Sequence, residues 1–111
     1  METLNANQLK EKQDQDGNLK VINTLSPELF EKTHIPDSIN IPLDNPEFVS
    51  EVEKLVDKES PVVVYCASLQ CDSSTTAARK LELAGFNRVF DFEGGAKAWE
   101  EAGMPLASAG A

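Results

Sequence analysis

Two cysteines, Cys66 and Cys71, stand five residues apart in a polar stretch, residues 66–73 (CASLQCDS), that directly follows the apolar run 61–65 (PVVVY). A thiolate is the strongest nucleophile among ordinary side chains, and its availability depends on what surrounds the sulfur. Cys66 falls at the carboxyl end of the apolar run. The residues behind it, Ala67, Ser68, Leu69, Gln70, Cys71, Asp72 and Ser73, lead into a helix that begins near Ser74. Unpaired N–H groups at a helix start, and those of a curled loop, favour an anion. The expectation is that they gather around Cys66, lower its pKa and cradle a sulfur-bearing anion. Cys71 on the same loop is a candidate resolving or relay thiol, able to accept sulfur from Cys66 or to close a disulfide with it. Closure requires the two Cα atoms to lie within about 7 Å. The bland alternatives are a small buried hydrophobe at 66 and an incidental loop residue at 71. A polar loop and helix start directly after Cys66 favour the chemical reading, since aliphatic packing requires neither.

Other reactive residues form no second constellation. His34, the single histidine, has no companion at metal-ligand spacing, so no metal and no cofactor is expected, and its expected role is structural. Trp99 reads as core packing, and Glu47, Glu51 and Glu53 as a solvated helix face.

The elements that must hold the loop alternate. Residues 5–16 read as a polar surface helix capped by Asn5 and stopped by Gly17. Residues 20–24 read as a strand, and Ser26-Pro27-Glu28 has the grammar of a helix start. Residues 38–41 form a short strand closed by Pro42. Asn45-Pro46-Glu47 opens a helix whose apolar face is Phe48, Val49, Val52, Leu55 and Val56. The β-branched run 61–65 suits a strand buried on both faces. The helix from Ser74 carries Ala77, Ala78, Leu81 and Ala84 and ends at Gly85. A strand at 88–92, a Gly94-Gly95 turn and a short helix bearing Trp99 complete the pattern. Alternating strands and helices predict an α/β domain with a mainly parallel sheet, in which ligands bind beyond the carboxyl ends of strands. The expected layout is one domain over residues 1–111, with a core at about 4–106 and a flexible tail at 107–111.

Charge and composition narrow the partners. Ten Lys and Arg against 19 Asp and Glu give a formal net charge of -9, which argues against nucleic-acid and anionic-membrane partners. The first residues are polar and acidic and no apolar run approaches a membrane span. With two cysteines and no disulfide framework, the expected compartment is the reducing cytoplasm.

Over about residues 4–106 the chain resembles single-domain rhodanese-like proteins. The matching segments are SPELFEKTHIPDSINIP (26–42), PVVVYC (61–66), STTAARKLELAGF (74–86) and EGGAKAWEEAGMP (93–105). The resemblance implies a five-stranded, mostly parallel sheet between helices. It also implies a catalytic cysteine at Cys66 that takes sulfane sulfur from a small donor and passes it to a thiol or other nucleophilic acceptor, small or protein.

The departures concern the site. Asn23-Thr24-Leu25 stands where the family often has Asp-x-Arg, and Thr33 and Asp37 fill positions usually held by Gly. The loop lacks the family's Gly and basic residue and is two residues longer than its common form. With no Lys or Arg in the loop, thiosulfate is expected to be a poorer donor than a polysulfide or persulfide. Phosphatase or arsenate reductase chemistry on a related loop would need an Arg six residues after the nucleophile, and that residue is Asp72. The alternative from another class is a non-catalytic interaction or regulatory module on the same scaffold.

Overall fold

The structure, a computed structural model, describes residues 1–108. Its centre is β4 (Val62–Tyr65), every residue of which is buried. Such a strand must be covered on both faces, and its alternation decides by what. Val62 and Val64 pack with Phe48 and Val52 of α3 (Phe48–Leu55) and with Ala77, Ala78 and Leu81 of α4 (Ser73–Leu83). Val63 and Tyr65 point the other way. They pack with Leu9 of α1 (Ala6–Gln15) and Trp99 of α5 (Gly95–Glu101). Burying an aliphatic side chain of this size contributes about 1.5–3 kcal/mol, so the backbone that ends at Cys66 is fixed from both sides.

β4 pairs in parallel with β2 (Lys20–Asn23) and with β5 (Val89–Phe92). β3 (Ile39–Asn40) lies beyond β2 and β1 (Glu2–Thr3) beyond β5, giving a five-stranded sheet in the order β1-β5-β4-β2-β3 with every pairing parallel. The α/β class with a mainly parallel sheet is therefore the observed one. Four of its strands carry a hydrophobic signal. The fifth, Glu2–Thr3, is exposed and polar and is defined by backbone pairing with Phe90 and Asp91 alone.

Local grammar explains most boundaries. Asn5 caps α1 through a reciprocal capping box with Gln8, both bonds 2.8 Å. That helix is not wholly a surface element, because Leu9 is fully buried against the sheet. In α2 (Pro27–Lys32) Ser26 accepts from the Leu29 N–H and Pro27 takes the first position. The start expected at Asn45 shifts: Asn45 Oδ1 accepts from the Glu47 N–H, and the helix begins only at Phe48. His34 has the structural role expected of it. Its ring stacks on Phe30 at 4.0 Å and its Nδ1 lies 2.8 Å from the Phe30 oxygen. The tail expected to be free from 107 onward is anchored at Ala107, which exchanges both backbone hydrogen bonds with His34. Residues 109–111 of that tail lie outside the described residues. Among the described residues no helix is long and apolar enough to cross a membrane.

Candidate functional site

The site lies beyond the carboxyl ends of β2 and β4. Thr24 caps the neighbouring strand end, where its N–H and its Oγ1 both reach the Tyr65 oxygen, at 3.1 and 3.2 Å. Asn23 Oδ1 accepts from the Leu25 N–H, and Asn40 Nδ2 donates to the Leu25 oxygen. Asn23-Thr24-Leu25 thus acts as a neutral latch on the strand end rather than a charged one.

Below the loop, α5 comes unusually close. The Ala96 N–H donates to the Cys66 oxygen and the Lys97 N–H to the Ala67 oxygen, both at 3.0 Å. Gly95 permits this approach. Its φ is +64°, and a Cβ there would sit 2.2 Å from the Cys66 oxygen. Above the loop, α4 is held to the sheet by Thr75 Oγ1, which donates to the buried Asp91 Oδ2 at 2.7 Å. The other Asp91 oxygen is buried without a partner. Cys66 is therefore clamped between two helices attached to β5.

The loop itself departs from expectation. Cys66 is fully buried, at 0% exposure. Its Sγ faces carbonyl oxygens: it donates to the Cys71 oxygen at 3.2 Å, with the Ser68 oxygen at 3.9 Å and Ser74 Oγ at 3.8 Å. Burial pushes the Cys66 thiol up, and the neighbouring Cys71 thiol adds to this. The Ser74 N–H and hydroxyl oppose it without overcoming it. The N–H cradle expected around Cys66, with a lowered pKa, is thus not what forms there. The reason is geometric: the turn that bonds the Cys71 N–H to the Ser68 oxygen at 3.0 Å aims carbonyls inward.

The cradle is built around Cys71 instead. That sulfur is partly exposed and lies 3.5 Å from Ser73 Oγ. Its modest burial would raise the thiol, but the Cys66 thiol, the Ser73 hydroxyl and the N–H groups of Ser73 and Ala67 together hold it below the ordinary thiol range. The two cysteines are brought together as thiol neighbours, both free. Ala67, Leu69, Gln70 and Asp72 face solvent, Ser68 is half-buried and bonds Gln70 Oε1 at 2.9 Å, and Ser73 opens α4. Among the described residues neither Arg79 nor Lys80 makes a side-chain hydrogen bond or ion pair with the loop, and Lys80 lines an adjoining groove with Ser73 and Asp44. Sequence reasoning missed Ser74 as a sulfur contact. Its signal was a hydroxyl on the helix face that also carries Ala77, Ala78 and Leu81, where only a polar partner justifies burial.

Comparison with known proteins agrees with this architecture. Residues 5–102 match the sequence model of the Rhodanese-like domain family. The chain is 36% identical over 75 residues to rhodanese-like domain-containing protein 14, chloroplastic, of Arabidopsis thaliana, covering 57% of this chain but only 34% of that protein. It is 34% identical over 79 residues to thiosulfate sulfurtransferase GlpE of Pseudomonas syringae, covering 71% of this chain and 70% of the relative. Among solved structures, a rhodanese-related protein from Thermoplasma volcanium superposes with a TM-score of 0.77 at 29% identity, over 96% of this chain and 98% of that one. With the family's segments in place along the sequence, its parallel sheet in the fold and a cysteine loop at the end of the central strand, the chain belongs to the rhodanese-like domain family.

Proposed function

We propose that the protein is a sulfurtransferase that forms a persulfide on Cys66 and passes the sulfane sulfur to a thiol or other nucleophilic acceptor. The observation that carries this reading is the place of Cys66, at the end of the most buried strand and inside a loop clamped by α4 and α5. A relative named thiosulfate sulfurtransferase supports the reaction class. The donor proposed here is a persulfide or polysulfide rather than thiosulfate. Carbonyl oxygens face the Cys66 sulfur, the loop carries Asp72 and no cation, and a dianion entering there lacks a charge-assisted partner worth about 1.5–3 kcal/mol. A reducing compartment such as the cytoplasm would keep both thiols free for this cycle.

Mass spectrometry with peptide mapping tests the reading. Reduced protein incubated with a small-molecule persulfide, with polysulfide or with thiosulfate should gain one sulfur atom on Cys66, least readily from thiosulfate. No gain from any of the three would leave the non-catalytic module as the better description.

A further inference from the structure

The two sulfurs differ in a way that orders them. Cys66, the expected sulfur-carrying residue, has no exposed surface, whereas Cys71 is partly open and sits at the mouth of the same loop. The hydrogen-bonding groups are divided just as unequally. Cys66 Sγ is turned to the Cys71 and Ser68 oxygens, which suit a protonated thiol. Cys71 Sγ is turned to the Ser73 hydroxyl at 3.5 Å, a group that can rotate and donate to a thiolate. A donor approaching from solvent meets Cys71 first and finds there the better-stabilised anion.

We propose that Cys71 is the entry thiol of a two-cysteine relay: it takes the sulfane sulfur from the donor and hands it inward to Cys66. This rests on the sulfurtransferase reading above and adds a direction of flow within it. In the first step the Cys71 thiolate attacks the outer sulfur of a persulfide R–S–SH. A new S–S bond forms to Cys71, the S–S bond of the donor breaks, and R–S⁻ leaves. In the second step the Cys66 sulfur attacks the outer sulfur of the Cys71 persulfide. A Cys66 persulfide forms, the Cys71 sulfur leaves, and the proton lost by Cys66 ends on Cys71. The transferred sulfur keeps its oxidation level, so neither an oxidant nor a reductant is consumed.

The thiol environments favour this direction. Once its proton is gone the more basic sulfur is the stronger nucleophile, and the less basic one is the better leaving group. Burial makes Cys66 the more basic of the pair, while the groups around Cys71 make it the less basic. The buried position then shelters the transferred sulfur from water and stray thiols. This order is the reverse of a resolving thiol, in which Cys66 reacts first and Cys71 closes a disulfide upon it.

Rapid-quench loading with a small-molecule persulfide, read by peptide mapping, tests the relay. In wild-type protein the extra sulfur should be found first on Cys71 and then on Cys66. Cys66→Ser and Cys66→Ala should each retain it on Cys71. Cys71→Ser should load Cys66 more slowly, by about tenfold or more, because the donor must then reach a thiol with no exposed surface. Circular dichroism confirms that each variant is folded. Wild-type-rate loading of Cys66 in Cys71→Ser, or an unmodified Cys71 in folded Cys66 variants while wild type loads Cys66, would overturn the relay alone. So would prompt sulfide release with a Cys66–Cys71 disulfide in wild type. No sulfur on either cysteine of wild type would overturn both the relay and the reaction class.

Discussion

The backbone oxygen of Cys71 lies 3.2 Å from the sulfur of Cys66 and accepts a hydrogen bond from its thiol. One residue therefore presents a carbonyl to the buried thiol and its own thiol to the solvent, so the loop stabilises the neutral form inside and the anion outside.

That division predicts two separate titrations. Alkylation by iodoacetamide followed residue by residue should show Cys71 labelling half-maximally below the ordinary thiol pKa, about 8.5. Cys66 should label slowly and reach its half-maximum above that value, because burial holds its proton on. Mass-spectrometric quantitation of each labelled peptide across pH checks both. Identical profiles for the two cysteines would contradict the arrangement.

Gly95 should tolerate no side chain. The left-handed backbone alone costs a non-glycine residue about 1–2 kcal/mol, and the Cβ would collide with the Cys66 oxygen at 2.2 Å. Gly95→Ala is expected to lower stability in urea by at least that amount. It should also slow sulfur loading, because relieving the collision moves the loop. A variant with wild-type stability and loading would show that α5 does not set the loop's position.

Tyr65 should govern the alkaline limb of stability. Its hydroxyl accepts the Ile35 N–H at 3.0 Å and lies 2.7 Å from Ser38 Oγ. Burial raises the phenol pKa, outweighing the opposing hydrogen bonds with Ser38, Asn23 and Ile35. The folded state thus holds the proton after the unfolded chain has begun to lose it near pH 10. The contribution is full below that pH and disappears as pH rises through the folded value. Tyr65→Phe strands the Ile35 N–H and should cost about 1–3 kcal/mol at neutral pH. It should also flatten the decline of stability above pH 10, measured by urea unfolding over a pH series.

Much of this molecule is legible in the sequence because its signals are local. The run 61–65 announces a doubly buried strand, Ser26-Pro27 a helix start, and the segments around Gly94-Gly95 and Trp99 a family. Asp37 shows how a departure can be read. It fills a position where related chains place Gly, and it is the one non-glycine residue with positive φ, +67°, among those described. An Asp tolerates that region better than most side chains. What was not legible depends on contacts between distant residues. Glu2–Thr3 becomes a strand only because β5 offers it an edge. The helix at 5–16 looks polar throughout until Leu9 meets the sheet. The orientation of N–H groups and carbonyls around the two sulfurs follows from the path of a loop two residues longer than its relatives' common form. No residue type encodes that path, so the sequence alone points the cradle at Cys66 rather than Cys71.

The hydrogen bonds from Ala96 and Lys97 to the carbonyls of Cys66 and Ala67 have a consequence for the newborn chain. Cys66 emerges from the ribosome thirty residues before Ala96. At about 5–20 residues per second that interval is roughly two to six seconds. Until Val89–Phe92 has followed, the strand has no β5 beside it, and until Ala96 and Lys97 have followed, the loop has no floor. The path of the loop is therefore completed only when α5 docks beneath it.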